Sequence, residues 1–165
     1  MYKRQALIRD TLYEGIPAGQ RLRLHQQAGE ALEAFYQPDP DPHLAELARH
    51  FFEAAPAGDA SKAVSYAERA GHRALALLAY EEAARLFRMG LAALSLARSA
   101  GQDRARCRLL LALGDALTRM GEREAAREEL LRAAGIARRY QMAEELGQAA
   151  LTYACLLYTS PSPRD

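Results

Sequence analysis

Apolar residues recur along this chain at spacings of three and four, the period of helices with one buried face. Residues 6–14 read as a short helix carrying Leu7, Ile8, Leu12 and Tyr13, broken by Gly15-Ile16-Pro17. A longer helix follows over about 18–36, with Leu24, Ala28, Leu32 and Phe35 on one face. Pro38-Asp39-Pro40-Asp41-Pro42 is a stiff loop, because a residue preceding proline is pushed out of helical geometry. Asp41 is expected to cap the next helix, with Pro42 in its first position. That helix, 43–55, buries Leu44, Leu47, Ala48, Phe51 and Phe52 and stops at Pro56-Ala57-Gly58. Further helices are expected over 60–76, 80–99, 103–119, 123–139 and 141–154. Asp103 reads as an N-cap, and Gly101 and Gly121 mark turns. The 76–80 junction holds neither Gly nor Pro, so its turn is inferred from repetition alone.

The repetition is internal and specific. His25-x-x-Ala28-Gly29-x-x-Leu32 returns as Ala67-x-x-Ala70-Gly71-x-x-Ala74 and as Leu110-x-x-Leu113-Gly114-x-x-Leu117. A weaker fourth copy is Leu146-x-x-Ala149-Ala150-x-x-Tyr153. The small residue advances by 42, 43 and then 36 positions. A second pattern follows two of these copies: Ala83-x3-Phe87-x2-Gly90 returns 43 residues later as Ala126-x3-Leu130-x2-Ala133. A small residue in the first helix of a pair lets the second approach closely. One pair cannot bury its apolar face alone, since isolated helices of ~15 residues are marginal in water. Stacked pairs make a continuous core.

Composition narrows the fold class to all-α. Ala and Leu supply 60 of 165 residues, whereas Val, Ile and Thr together supply only 8, too few for a sizeable sheet. Charge is balanced at 22 basic against 21 acidic residues, so no strong field draws nucleic acid or an acidic membrane to the chain. No apolar run approaches the length of a membrane span, and no secretory signal stands at the start. Cys107 and Cys155 form no disulfide or metal pattern and fit a reducing cytoplasm.

Both ends break with this composition. Residues 1–5, Met-Tyr-Lys-Arg-Gln, and residues 155–165, closing on Thr-Ser-Pro-Ser-Pro-Arg-Asp, resemble translated sequencing-adaptor read-through. They are expected to be non-native, and the chain between them a fragment cut on both sides.

The paired patterns resemble the tetratricopeptide repeat, whose signature is large-x-x-large-small-x-x-large in one helix and small-x3-aromatic-x2-small in the next. The best copy holds Leu110, Leu113, Gly114, Leu117, Ala126, Leu130 and Ala133 in register. Residues 22–154 are assigned to such repeats, as 22–55, 60–99, 103–139 and a partial 141–154. In 22–55 only the first helix matches, because the proline loop is read as displacing its partner. The stretched period resembles the MalT-like arrays of bacterial regulators. The implied fold is a superhelical array of antiparallel helix pairs. A second resemblance lies upstream. The string Leu7-Ile8-Arg9-x-x-Leu12-Tyr13-Glu14, continuing through Leu24-His25 to Ala31-Leu32, looks like the segment joining the winged-helix end of a STAND-type ATPase to its repeats, as LuxR-type regulators carry it. Residues 6–21 would then be the end of that linker.

Chemistry is sparse. No phosphate-binding glycine loop, nucleophile elbow or H-E-x-x-H occurs. His43, Glu46 and His50 share one helix side, yet the apolar stripe leaves them solvated, and a metal site is not expected. His25 stands where the repeat takes a large apolar residue and is read as packed and hydrogen-bonded. Cys107 lies among Arg104, Arg106 and Arg108, which would lower its thiol pKa if exposed, and is read as a spectator at a helix start. Basic clusters lack the aromatic residues that stack bases, which argues against nucleic-acid binding.

The tetratricopeptide resemblance implies a concave groove lined by the first helices. Its positions fall on Arg23, Gln26 and Glu30, on Glu68, His72 and Leu75, and on Arg108, Leu111, Asp115 and Arg119. That mixed lining suits a peptide, a partner domain (the parent's own ATPase module included) or a small polar ligand. No cofactor and no catalytic residue are expected. The expected role is a non-catalytic interaction and sensing segment of a larger bacterial signalling ATPase or transcriptional regulator. The alternative is a free-standing scaffold that assembles other proteins.

Overall fold

A computed structural model describes residues 13–58, 60–97 and 102–158, and all regular structure among them is helical. Seven α-helices follow one another: α1 (Ala18–Phe35), α2 (Leu44–Ala54), α3 (Ala60–Ala76), α4 (Tyr80–Leu96), α5 (Asp103–Met120), α6 (Arg123–Arg139) and α7 (Ala143–Tyr158). A 3-10 turn, Asp41–His43, precedes α2. The expected helix over 6–14 lies outside the described residues except at its end. Residues 155–158, set apart by composition, continue α7, and Leu156 is buried there.

Each helix packs chiefly on the next, and lesser contacts join helices two apart, as between α2 and α4, α3 and α5, and α5 and α7. The core therefore runs through the succession of helices as one apolar cluster from Leu44 to Leu156. No helix among the described residues is long and apolar enough to cross a membrane.

The close approaches fall where the repeat predicts them. A Cβ added at Gly71 in α3 would stand 2.7 Å from two ring carbons of Phe87 in α4. One added at Gly114 in α5 would stand 2.7 Å from Leu130 in α6, and one at Gly29 in α1 would stand 3.1 Å from Phe51 in α2. Phe51, Phe87 and Leu130 are themselves fully buried. The glycine and its cover are 16 residues apart in the second and third pairs and 22 apart in the first. The first pair is therefore complete: the proline loop adds six residues without displacing α2 from its seat, and Leu47-x3-Phe51-x2-Ala54 is the missing second-helix pattern. The expectation that the proline loop displaces the partner helix is thus corrected; Leu47 stands where the other copies hold a small residue.

The turns repeat as well. Leu78, Gly121 and Gln141 all take the left-handed backbone conformation, at φ 60°, 81° and 55°. In each case the following N–H reaches back five residues: Ala79 to the Ala74 carbonyl at 2.9 Å, Glu122 to Leu117 at 3.0 Å and Met142 to Ala137 at 2.8 Å. This is the Schellman closure of a helix end. It supplies the turn at 76–80 that local composition did not announce.

Three expectations about α1, α2 and α5 need correction. In α1, Phe35 is 78% exposed and Leu24 is also exposed, because the register is fixed by Gly29 against Phe51 and only one side of α1 is covered. Asp41 makes no capping bond to α2; its carboxylate accepts a 3.3 Å hydrogen bond from Arg69 in α3. Asp103 is not an N-cap but the first residue of α5, where its charge suits the positive end of the helix dipole.

Substituting the seats separates crowding from helix propensity. Gly→Ala in a helix interior gains about 1 kcal/mol of propensity, while overpacking a dense core costs about 1–3 kcal/mol. Gly71→Ala is expected to lower stability by about 1–2 kcal/mol, since the Phe87 ring has no room to retreat, whereas Gly29→Ala stays within about 0.5 kcal/mol of the parent. Chemical denaturation of both variants checks this, and equal losses would contradict it. Leu78→Gly relieves left-handed strain at an exposed residue and is expected to raise stability by about 0.5–1 kcal/mol in the same assay.

Candidate functional site

The first helices of the pairs, α1, α3, α5 and α7, carry the charged positions that the repeat pattern places on one face. Their junctions are each bridged by a carboxylate and a donor. Glu33 in α1 accepts 2.6 Å hydrogen bonds from Lys62 Nζ and from the Tyr66 hydroxyl in α3. Glu68 in α3 accepts from Arg108 Nε at 2.8 Å and from its terminal nitrogen at 3.2 Å, a two-point contact with α5. Glu145 in α7 accepts from Arg104 Nε in α5 at 3.1 Å, and its second oxygen is buried without a partner. One rung therefore joins each successive pair of first helices. Exposed pairs contribute little, about 0–1 kcal/mol each, but the two-point geometry at Arg108 fixes spacing as well as charge.

These rungs account for several of the predicted groove residues. Glu68 and Arg108 hold one another, and Arg119 donates to Asp115 at 3.0–3.1 Å one helical turn away. Gln26 donates to Glu30 at 2.6 Å. His72 is exposed and meets the Phe87 ring edge-on, with centroids 5.3 Å apart, and Leu75 is half-buried against the core. Leu111 is not on the face at all: it is 3% exposed, because α5 is flanked by α3, α4, α6 and α7 together and is covered almost all round. Arg23 is exposed and lines, with Gln26, Leu22, Ala54 and Gly58, a cleft of about 220 Å³ between α1 and the end of α2. The predicted groove residues Arg23 and Gln26 are thus brought together around this cleft.

Electrostatics follow from these contacts. Burial pushes the Glu33 carboxyl up, but the hydrogen bonds from Lys62 and Tyr66 outweigh it, and its pKa lies below the ordinary value. Burial and the bond to Glu33 push Tyr66 up to about 12. The hydrogen bond to Glu68 raises Arg108 further, so its guanidinium keeps its charge.

A second polar cluster sits between α1 and α2. The Tyr13 hydroxyl lies 2.9 Å from His25 Nε2, and His25 Nδ1 lies 3.1 Å from His50 Nδ1. His25 is packed and hydrogen-bonded, as its place in the repeat suggested. Two imidazole nitrogens can share one proton but not hold two, so the contact requires one neutral ring. Burial lowers the His50 pKa first, and the charges of Arg49 and His25 lower it further against the opposing pull of Glu46 and Glu53. His43 stacks on Tyr36 with centroids 3.5 Å apart, so His43 and His50 turn to different partners. Among the described residues no three His, Cys, Asp or Glu side chains are grouped to hold a metal ion. Cys107 is buried and its thiol donates to the Ala133 carbonyl at 3.5 Å; burial, and then Glu145, raise its pKa. Arg104 and Arg108 are engaged by Glu145 and Glu68, and the pull of Arg108 on the thiol is outweighed by burial; Cys107 is a core residue binding α5 to α6.

Comparison with known protein families, with curated proteins and with solved structures finds no match in any of the three.

The His25–His50 contact predicts a pH dependence. A histidine whose folded pKa is lowered stabilises the fold fully above its unfolded value, and the contribution is lost as pH falls through that range. Between about pH 7 and about pH 5 the protein is expected to lose stability, and His50→Gln to lose less of it, in denaturant titrations at each pH. An identical pH slope in both would remove the pair as the cause.

Proposed function

We propose that this chain is a non-catalytic, tetratricopeptide-like interaction and sensing segment of a larger bacterial signalling ATPase or transcriptional regulator. The observation that carries the reading is the threefold recurrence of one seat: Gly29 under Phe51, Gly71 under Phe87 and Gly114 under Leu130. A seat repeated at this spacing is what stacked helix pairs need, and such arrays offer a surface rather than a reaction centre. The Arg23–Gln26 cleft is the best candidate on that surface for a carboxylate-bearing peptide or a small polar ligand. Its lining combines one exposed guanidinium with apolar walls from Leu22 and Ala54.

Mechanistically, a partner bound across successive first helices would favour one spacing between them. The rungs at Glu33, Glu68 and Glu145 are the contacts such a shift would stretch or tighten. Differential affinity for two spacings is all that a population shift requires. The resemblance of residues 7–32 to the linker of STAND-type regulators supports an ATPase module on the amino-terminal side.

The gene itself tests the reading. Extending the coding sequence upstream is expected to reveal a G-x-x-x-x-G-K-[ST] loop within a few hundred residues, and its absence would remove the regulator assignment. The purified chain is expected to show no nucleotide hydrolysis; robust turnover that survives repurification would overturn the non-catalytic reading.

A further inference from the structure

His25 and His50 turn the same atom toward each other across two helices. His25 stands on α1 and His50 on α2, 25 residues apart, and their Nδ1 atoms lie 3.1 Å from one another. One N–H···N bond accounts for that distance, with one ring as donor. The distance is also a chelating bite. With metal–imidazole bonds of about 2.0–2.1 Å, two nitrogens 3.1 Å apart subtend about 98° at a shared ion. That angle falls between the right angle of octahedral or square-planar coordination and the tetrahedral angle, so the spacing of α1 and α2 already suits an ion.

The surroundings fit that use. His25 Nε2 lies 2.9 Å from the Tyr13 hydroxyl, and when Nε2 carries the ring proton, Nδ1 is left as a free lone pair. Metal-ligating histidines are oriented by such a contact at their other nitrogen. A pocket of about 230 Å³ opens beside both rings, walled by Ile16, Leu24 and Ala28. Among the described residues no third His, Cys, Asp or Glu is grouped with the pair, so the remaining positions on an ion fall to water in that space. Charge is mixed around it. Arg49 opposes a cation at His50, whereas Glu46 and Glu53 favour one. Arg21 also lines the pocket, with its guanidinium carbon over the Tyr13 ring, 5.2 Å from the centroid. His43 lies on the same side of α2 as His50 but stacks on Tyr36. We propose that His25 and His50 form a two-point site for a divalent transition ion, Zn²⁺, Ni²⁺ or Cu²⁺, which clamps α1 to α2. On binding to the neutral pair, the proton between the rings moves to the outer nitrogen of His50, and both Nδ1 lone pairs turn to the ion. No proton is lost and no oxidation state changes. Imidazole suits these ions, whereas Mg²⁺ and Ca²⁺ take oxygen ligands. Only the folded pair holds the bite, so an ion at a hundred times its dissociation constant lowers the unfolding constant about a hundredfold.

Metal titration of the full chain tests this, without a polyhistidine tag and with Cys155→Ser to remove the exposed thiol. Calorimetry with Ni²⁺ and with Zn²⁺ is expected to show one ion per chain. Both ions are expected to raise the denaturant midpoint, and Mg²⁺ and Ca²⁺ to leave it unchanged. His25→Gln and His50→Gln are each expected to weaken binding about tenfold or more. His72→Gln, at a histidine outside the pair, is expected to leave it unchanged. In the chain with both histidines intact, Cu²⁺ is expected to broaden the ring proton resonances of His25 and His50 before those of His43 and His72, a readout that needs no histidine variant to fold. Absence of binding at millimolar ion would overturn the proposal and leave the contact as an N–H···N bond alone. Equal affinity with and without His50→Gln would overturn it too, as would broadening that begins at His43 or His72.

Discussion

A large buried side chain pressed onto a glycine sets the geometry of this molecule. In an α-helix the absence of a Cβ lets a neighbouring helix come closer than ordinary side chains permit. Phe51, Phe87 and Leu130 exploit that three times over. The contact is non-polar, local to one pair and indifferent to the pairs beside it. That independence allows the first pair to absorb a six-residue insertion in its loop and still close in the same way. The left-handed turns at Leu78, Gly121 and Gln141 then send each helix back along its predecessor with the same hydrogen bond.

Carboxylates carry the polar contacts between pairs. Glu33, Glu68 and Glu145 each reach from one first helix to the next, to Lys62 and Tyr66, Arg108 and Arg104. Their energies are small beside the apolar core, but they are directional and span the joints where a stacked assembly can flex. Stability and spacing are thus assigned to different residues.

Much of this was legible in the sequence. Helices α3 and α6 fall on their expected bounds, and α4, α5 and α7 within a few residues, because their seats, apolar stripes and turns all agree. Failures came where a residue's neighbours lie far away in the chain. Leu111 reads as surface from its own helix alone and is buried because α7 arrives on its other side. Cys107 sits among arginines in sequence but faces Ala133 in space. Asp41 reads as a cap from local chemistry and is claimed by Arg69, 28 residues on. The charged face was partly foreseen. Glu68 and Arg108 are among the predicted groove residues, whereas Glu33, Lys62, Tyr66, Arg104 and Glu145 are not, because pairing across helices cannot be read from spacing along the chain.

The most direct test of the account is proton NMR at the three glycines. A hydrogen on Cα packed beneath an aromatic ring is shielded by it. Gly29 and Gly71 should therefore show upfield-shifted Hα resonances with Overhauser contacts to the rings of Phe51 and Phe87, and Gly114 Hα should contact the methyls of Leu130. Unshifted glycines whose nearest neighbours are unrelated to one another would contradict the repeated seat, and with it the stacked architecture.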